Sequence, residues 1–330
     1  MLVRRRTGLA SLVAACVLAA VALPGVTSAA LPPAPPAPTD SGGHPFPITT
    51  GADAATEPIA ASRTQLEVPL SGRQSIPTNA MIVAFYGYPG FPQMGALGAY
   101  EPDEAAIAAR RAAAEYDELN GLAPVVPALH LIAAVAHPTP QENGTYLSRL
   151  EPETIERYVE VARRHGILLF LDVQIGWADP LDEVRALAPY LAEPFVHLAL
   201  DPEFATAGSG AAPGQVIGTL PAEDVNRVQD YLARFVREHE LPPKVLVVHQ
   251  FMEYMLENTD EYDAHPEVEI TIDMDGFGGV EAKLSKYEAY ALGSYSERPA
   301  LKLFYEWDTP LLMPADILQL RHPPRMVIYQ

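Results

Sequence analysis

Cys16 is the only cysteine in this 330-residue chain. If the N-terminus is removed after Ala29 no thiol remains, which excludes disulfide staples, cysteine nucleophiles and thiolate metal sites. Positive charge is also scarce: 22 Lys and Arg stand against 42 Asp and Glu, a formal net charge of -20 at pH 7. No basic stretch with interleaved aromatics reverses that field, so the partner is expected to be neutral or cationic, not nucleic acid or anionic lipid. No Gly-x-Ser-x-Gly elbow appears, since Gly208-Ser209-Gly210 lacks the strand-turn-helix setting that a serine hydrolase needs. His-x-His and His-Glu-x-x-His are missing too, and the prolines in Gly87-Tyr88-Pro89-Gly90-Phe91-Pro92 break up any nest of N–H groups for a dinucleotide. The expectation is a protein without cofactor and without metal.

The first segment present is an export signal. Residues 1–29 combine the basic run Arg4, Arg5 and Arg6, an apolar stretch over 9–23, and the small residues Thr27-Ser28-Ala29 at a cleavage site. The stretch is shorter than the ~20 residues of a spanning helix, so no transmembrane span is expected in the mature form. Val13-Ala14-Ala15-Cys16 offers an alternative, cleavage before a lipid-anchored Cys16, although the apolar residues that follow it make a poor wet tether. Either way the protein is expected to be secreted or attached to the outer side of the cell envelope. Residues 30–75 are rich in Pro, Ala, Gly, Ser and Thr, including Leu31-Pro32-Pro33-Ala34-Pro35-Pro36, and read as a disordered linker.

Beyond residue 75, strand and helix patterns alternate. Strands are expected at 81–86, 125–132, 167–173, 195–200, 244–251, 268–274, 301–306 and 326–330. Helices are expected at 102–119, 152–165, 179–191, 221–239 and 279–291. Eight strands in about 250 residues match a (β/α)8, TIM-like α/β barrel over residues 76–330. An open doubly wound sheet is the alternative. The pattern supplies no helix after the eighth strand, so another segment, with the linker as one source, must cover that wall.

Several strands end in acids or amides, and the C-terminal ends of barrel strands are where active sites are built. The run Val196-His197-Leu198-Ala199-Leu200 leads into Asp201-Pro202-Glu203, and extended backbone would place the two carboxylates on one face. Glu203 is the candidate general acid and Asp201 the partner that tunes it; the plain alternative is a solvated Asp-Pro turn. Asp273 and Asp275 repeat the spacing at the sixth strand, giving a nucleophile, base or positioning group across the mouth. Tyr86, Asp172, His249, Gln250, Glu306 and Trp307 end other strands and are candidate substrate-binding residues, with the aromatics suited to stacking on sugar faces. His130, Asp172, Asp201, Glu203, His249 and Asp273 would converge in a barrel, which keeps a metal-dependent hydrolase as an alternative.

An apolar strand ending in Asp201-x-Glu203, with further acids at strands three and six, resembles the catalytic arrangement of family 25 lysozymes and, more distantly, family 18 chitinase-like barrels. The resemblance implies that Glu203 is the acid, with a substrate acetamido group oriented by an aspartate such as Asp273. Where the family 18 pattern carries further aspartates before the pair, this chain has only His197, and Tyr86 stands where family 25 enzymes place a first-strand aspartate. The wider chain resembles secreted proteins of high-GC Gram-positive bacteria. The expected function is a secreted glycoside hydrolase acting on a cell-wall or extracellular polysaccharide; a non-catalytic carbohydrate-binding barrel is the alternative.

Overall fold

Eight parallel strands close on themselves: β1 (Met81–Gly87), β2 (Val125–Ala136), β3 (Leu168–Val173), β4 (Val196–Leu200), β5 (Lys244–Gln250), β6 (Val268–Met274), β7 (Ala300–Leu303) and β8 (Met326–Tyr329). Each pairs with the next, and β1 pairs with both β2 and β8, which completes a barrel ringed by helices. This computed structural model describes residues 75–121, 123–141, 144–293 and 295–330. The export signal, the Cys16 alternative and all but the last residue of the linker lie outside the described residues. No helix among the described residues is long and apolar enough to cross a membrane.

The helices follow from local signals. Pro102 opens α1 (Pro102–Leu119) where its missing N–H costs nothing, and the Glu104 side chain accepts the Glu101 N–H. The buried face of α1 is built from Ala105, Ala106, Ala109 and Ala113, whose small side chains let the helix close on the sheet. In α2 (Pro152–His165) the last turn carries Arg163, Arg164 and His165 against the helix dipole, and Gly166 ends it at φ 62°, a conformation glycine adopts without strain. Farther on, α3 (Pro180–Ala186) is capped by the Asp179 carboxylate. Val225, Val228, Leu232 and Phe235 recur on one side of α4 (Ala222–Glu238) and seat it on the barrel. After β6 comes α5 (Val280–Lys286), and between β7 and β8 lies α6 (Pro314–Leu318). The β5–β6 connection has short 3-10 turns in place of a helix.

The wall at β8 is covered from within the barrel domain. The α1 helix packs against α6, Ile317 is fully buried, and the Tyr116 hydroxyl is 2.8 Å from that of Tyr329. One expected strand end and one expected backbone geometry need correction. β7 stops at Leu303, because the buried Asp308 carboxylate takes the N–H groups of Phe304 and Gly278 and bends residues 304–308 into a turn. β4 ends at Leu200 as expected, but the backbone beyond it is not extended, because Asp201 takes the N–H of Glu203 and starts the 3-10 turn Pro202–Phe204.

Candidate active site

A cleft of about 300 Å³ opens at the C-terminal ends of the strands. Asp201 and Glu203 reach it from the turn after β4, Asp275 from just beyond β6, Lys302 from β7 and Tyr86 from β1. Its aromatic wall is one contiguous group: Trp307 lies 5.7 Å from Phe304 and 5.4 Å from Phe277, ring centre to ring centre. His137 and Gln174 add polar atoms to the lining.

Asp201 and Glu203 meet there by a different geometry from extended strand. Asp201 Oδ1 accepts the Glu203 N–H at 3.0 Å, and Gly218 donates its N–H to the Glu203 carbonyl at 2.6 Å. These two bonds fix the backbone that carries the Glu203 side chain. Burial, then the charges of Asp201 and Asp275, push the Glu203 carboxyl well above the usual carboxylate range. Burial, then Asp172 and Asp275, raise Asp201 to about 7, against the pull of His249 and Lys302. The Asp275 carboxyl is raised by burial and opposed by Lys302, whose Nζ is 3.0 Å from Asp275 Oδ2. Burial works against the Lys302 ammonium, but Asp275, Asp273 and Asp201 outweigh it and hold the side chain charged. The same Nζ lies 3.6 Å from the centre of the Tyr86 ring, close enough for a cation–π contact.

Asp172, His249 and Asp273 lie beneath the cleft, each at 0% exposure, and do not line it. The β5–β6 register puts His249 directly beside Asp273, and His249 Nδ1 is 2.8 Å from Asp273 Oδ2. Its Nε2 is 3.2 Å from Asp172 Oδ2. Burial disfavours a charged His249, yet Asp172 and the bond to Asp273 raise it well above the ordinary histidine value. Asp172 is likewise penalised by burial, but His249 and His130 hold it below the usual carboxylate range. The strand ends thus form two tiers: Asp201, Glu203 and Asp275 touch the cleft, while Asp172 and Asp273 brace the histidine below it.

Gln250 and Glu306 are separated from the cleft. Gln250 is buried next to His249, and its amide donates to the carbonyls of Met252 and Glu253, tying down the loop after β5. Glu306 is exposed, because the turn held by Asp308 carries it away from the barrel mouth. Sequence reasoning passed over Lys302 and His137, and gave Gln174, the amide at the end of the third strand, no role of its own. Lys302 left a signal, a lone cation in the apolar run Ala300-Leu301-Lys302-Leu303; alternation puts it on the inner face with the acids.

The fold and cleft define a (β/α)8 barrel with an acid-lined, aromatic-walled mouth, an arrangement compatible with an enzyme active site. No protein-family model matches the chain, and no curated protein matches it. The resemblance to the family 25 and family 18 enzymes therefore rests on the barrel and on the acids that end its strands.

Proposed function

We propose that the chain is a glycoside hydrolase acting on a cell-wall or extracellular polysaccharide. The observation that carries this reading is that Glu203 faces the cleft in buried, acidic surroundings that raise its carboxyl well above the usual carboxylate range and favour its protonated form, and that it shares that cleft with a carboxylate, Asp275, that is paired with a cation. Cleaving a glycosidic bond needs a proton for the leaving oxygen and a carboxylate for the developing oxocarbenium ion or the attacking water. Glu203 donates the proton. Asp275 faces the anomeric carbon, with Lys302 balancing its charge in the buried floor. Asp201 acts through Glu203, holding its backbone and raising its pKa. The Phe277, Phe304 and Trp307 wall offers flat apolar surface for a sugar ring.

The reading is tested by screening for reducing-end release from peptidoglycan, chitin, arabinogalactan and plant glucans, comparing the wild type with Glu203→Gln over a broad pH range. Release by the wild type that falls sharply in the variant supports a hydrolase. Binding without turnover, with affinity unchanged by Glu203→Gln, identifies instead a carbohydrate-binding barrel that has lost its chemistry.

A further inference from the structure

We infer that His130, Asp172 and His249, below the cleft floor, form a binding site for one divalent transition-metal ion of the zinc class. The three come from β2, β3 and β5 and meet in the barrel interior, each at 0% exposure. Their ligand atoms all lie within 4.8 Å of one another. His130 Nε2 is 3.5 Å from Asp172 Oδ2, and His249 Nε2 is 3.2 Å from the same oxygen. Tetrahedral ligands at the ~2.0–2.1 Å bond lengths of zinc stand about 3.3 Å apart, so these edges already have the span of a metal polyhedron.

Two further observations point the same way. Neither ring nitrogen of His130 has a hydrogen-bond partner, nor does Asp172 Oδ1, although all are buried. Unpartnered buried polar atoms are costly, and an ion at this point would satisfy the His130 nitrogen directly. The second observation is Asp273. With Nδ1–H donating to Asp273 at 2.8 Å, His249 directs Nε2 at Asp172 Oδ2, 3.2 Å away, and an ion that displaces the Nε2 proton would complete the carboxylate–histidine–metal relay that orients histidine ligands in metal sites. Tyr86, whose ring contacts both histidines at 5.1 and 5.9 Å and which lines the cleft above, separates the cluster from the cleft on that side. In this role the ion joins three strands and adds positive charge beneath a cleft rich in carboxylates.

Because the ligands are fully enclosed, the ion is expected to be taken up as the chain folds and to exchange slowly. The test is elemental analysis of the full-length chain, as purified and after unfolding and refolding with Zn2+ or Co2+ alone. About one equivalent is expected to be retained through gel filtration, with the visible absorption of four-coordinate Co2+ and a higher Tm than the chain refolded in chelator. His130→Gln should lose the ion. Asp273→Asn leaves all three ligands in place and should keep the ion with affinity lowered about 10–100-fold, which keeps the test decisive if His130→Gln fails to fold. Asp263→Asn, in the exposed group of Asp230, Asp263 and His265, should bind as the wild type does. The inference is overturned by a chain that takes up no metal on refolding, by affinity unchanged in Asp273→Asn, or by uptake that disappears with Asp263→Asn and survives His130→Gln.

Discussion

Asp201 Oδ1 accepts the backbone N–H of Glu203 at 3.0 Å, so the carboxylate whose charge acts most strongly on the candidate acid also sets its backbone. Both side chains share the cleft, and the charge of Asp201 helps keep the proton on Glu203. Asp201 is therefore a positioning residue under the proposed mechanism.

Glu203→Gln is expected to keep the fold and lower turnover by about 10²–10⁴-fold, the usual contribution of a general acid. Circular dichroism checks the first part and reducing-end release the second. A variant within a few-fold of the wild type would remove Glu203 from the acid role.

The pH dependence of stability follows from the raised pKa of Asp201, about 7 in the folded chain. An unfolded aspartate ionises near 3.9, so between about pH 4 and 7 the folded state holds a proton that the unfolded state has lost. Stability from this group is complete below pH 4 and is lost as pH rises through 7. Asp201→Asn removes the effect, so the wild type should weaken relative to the variant by up to roughly 4 kcal/mol over that window. Urea unfolding of both proteins at pH 4, 5.5 and 8 measures it, and parallel curves would contradict the assignment.

Lys302→Met should be among the most damaging single changes at the site. It leaves the Asp275 carboxylate without its cation and removes the charge over Tyr86. Loss of one partner from a buried pair costs about 3–5 kcal/mol. The expected outcome is a matching fall in unfolding free energy; a change under 1 kcal/mol would mean that water replaces the ammonium.

Gly218→Ala probes the turn that carries Glu203. A Cβ at Gly218 would sit 2.4 Å from the Pro202 carbonyl oxygen and 2.5 Å from the Ala205 nitrogen, both backbone atoms, so the turn must move. Overpacking of this kind costs about 1–3 kcal/mol. Here it should also lower kcat, with KM changed less, because the displaced element is the acid's own backbone. A loss of stability at unchanged kcat would separate that turn from catalysis.

Trp307→Ala should raise KM with kcat held within a few-fold, since the ring is placed to stack on bound sugar and packs against Phe277 and Phe304. Kinetics on the best substrate of the screen decide this, and an unchanged KM would assign Trp307 to packing against Phe304 and Phe277.

Much of this architecture is legible along the chain. The short apolar run Val196-His197-Leu198-Ala199-Leu200 reads as a buried strand, Pro102 and Pro152 mark helix starts by their fixed φ, and Gly166 marks a helix end because glycine takes positive φ without strain. The two helices Pro102–Leu119 and Pro152–His165 begin and end where those local signals place them. Acids at strand ends could likewise be found by position, because parallel strands in a closed barrel deliver their C-termini to one face. Lys302 was harder to find: it interrupts an apolar strand in mid-run, where a polar residue reads as noise until its partners on other strands are known.

The sequence by itself determined the alternation of strands and helices, the scarcity of thiol and positive charge, and the set of acids available at the barrel mouth. Only the tertiary structure decided which acids touch the cleft and which lie beneath it. Asp273 and Asp275 are two residues apart, yet one is sealed against His249 and the other faces Lys302 and the cleft. That distinction depends on depth along the barrel axis and on side chains supplied by strands far away in the chain. Local spacing carries neither, because burial and charge pairing are properties of the closed barrel.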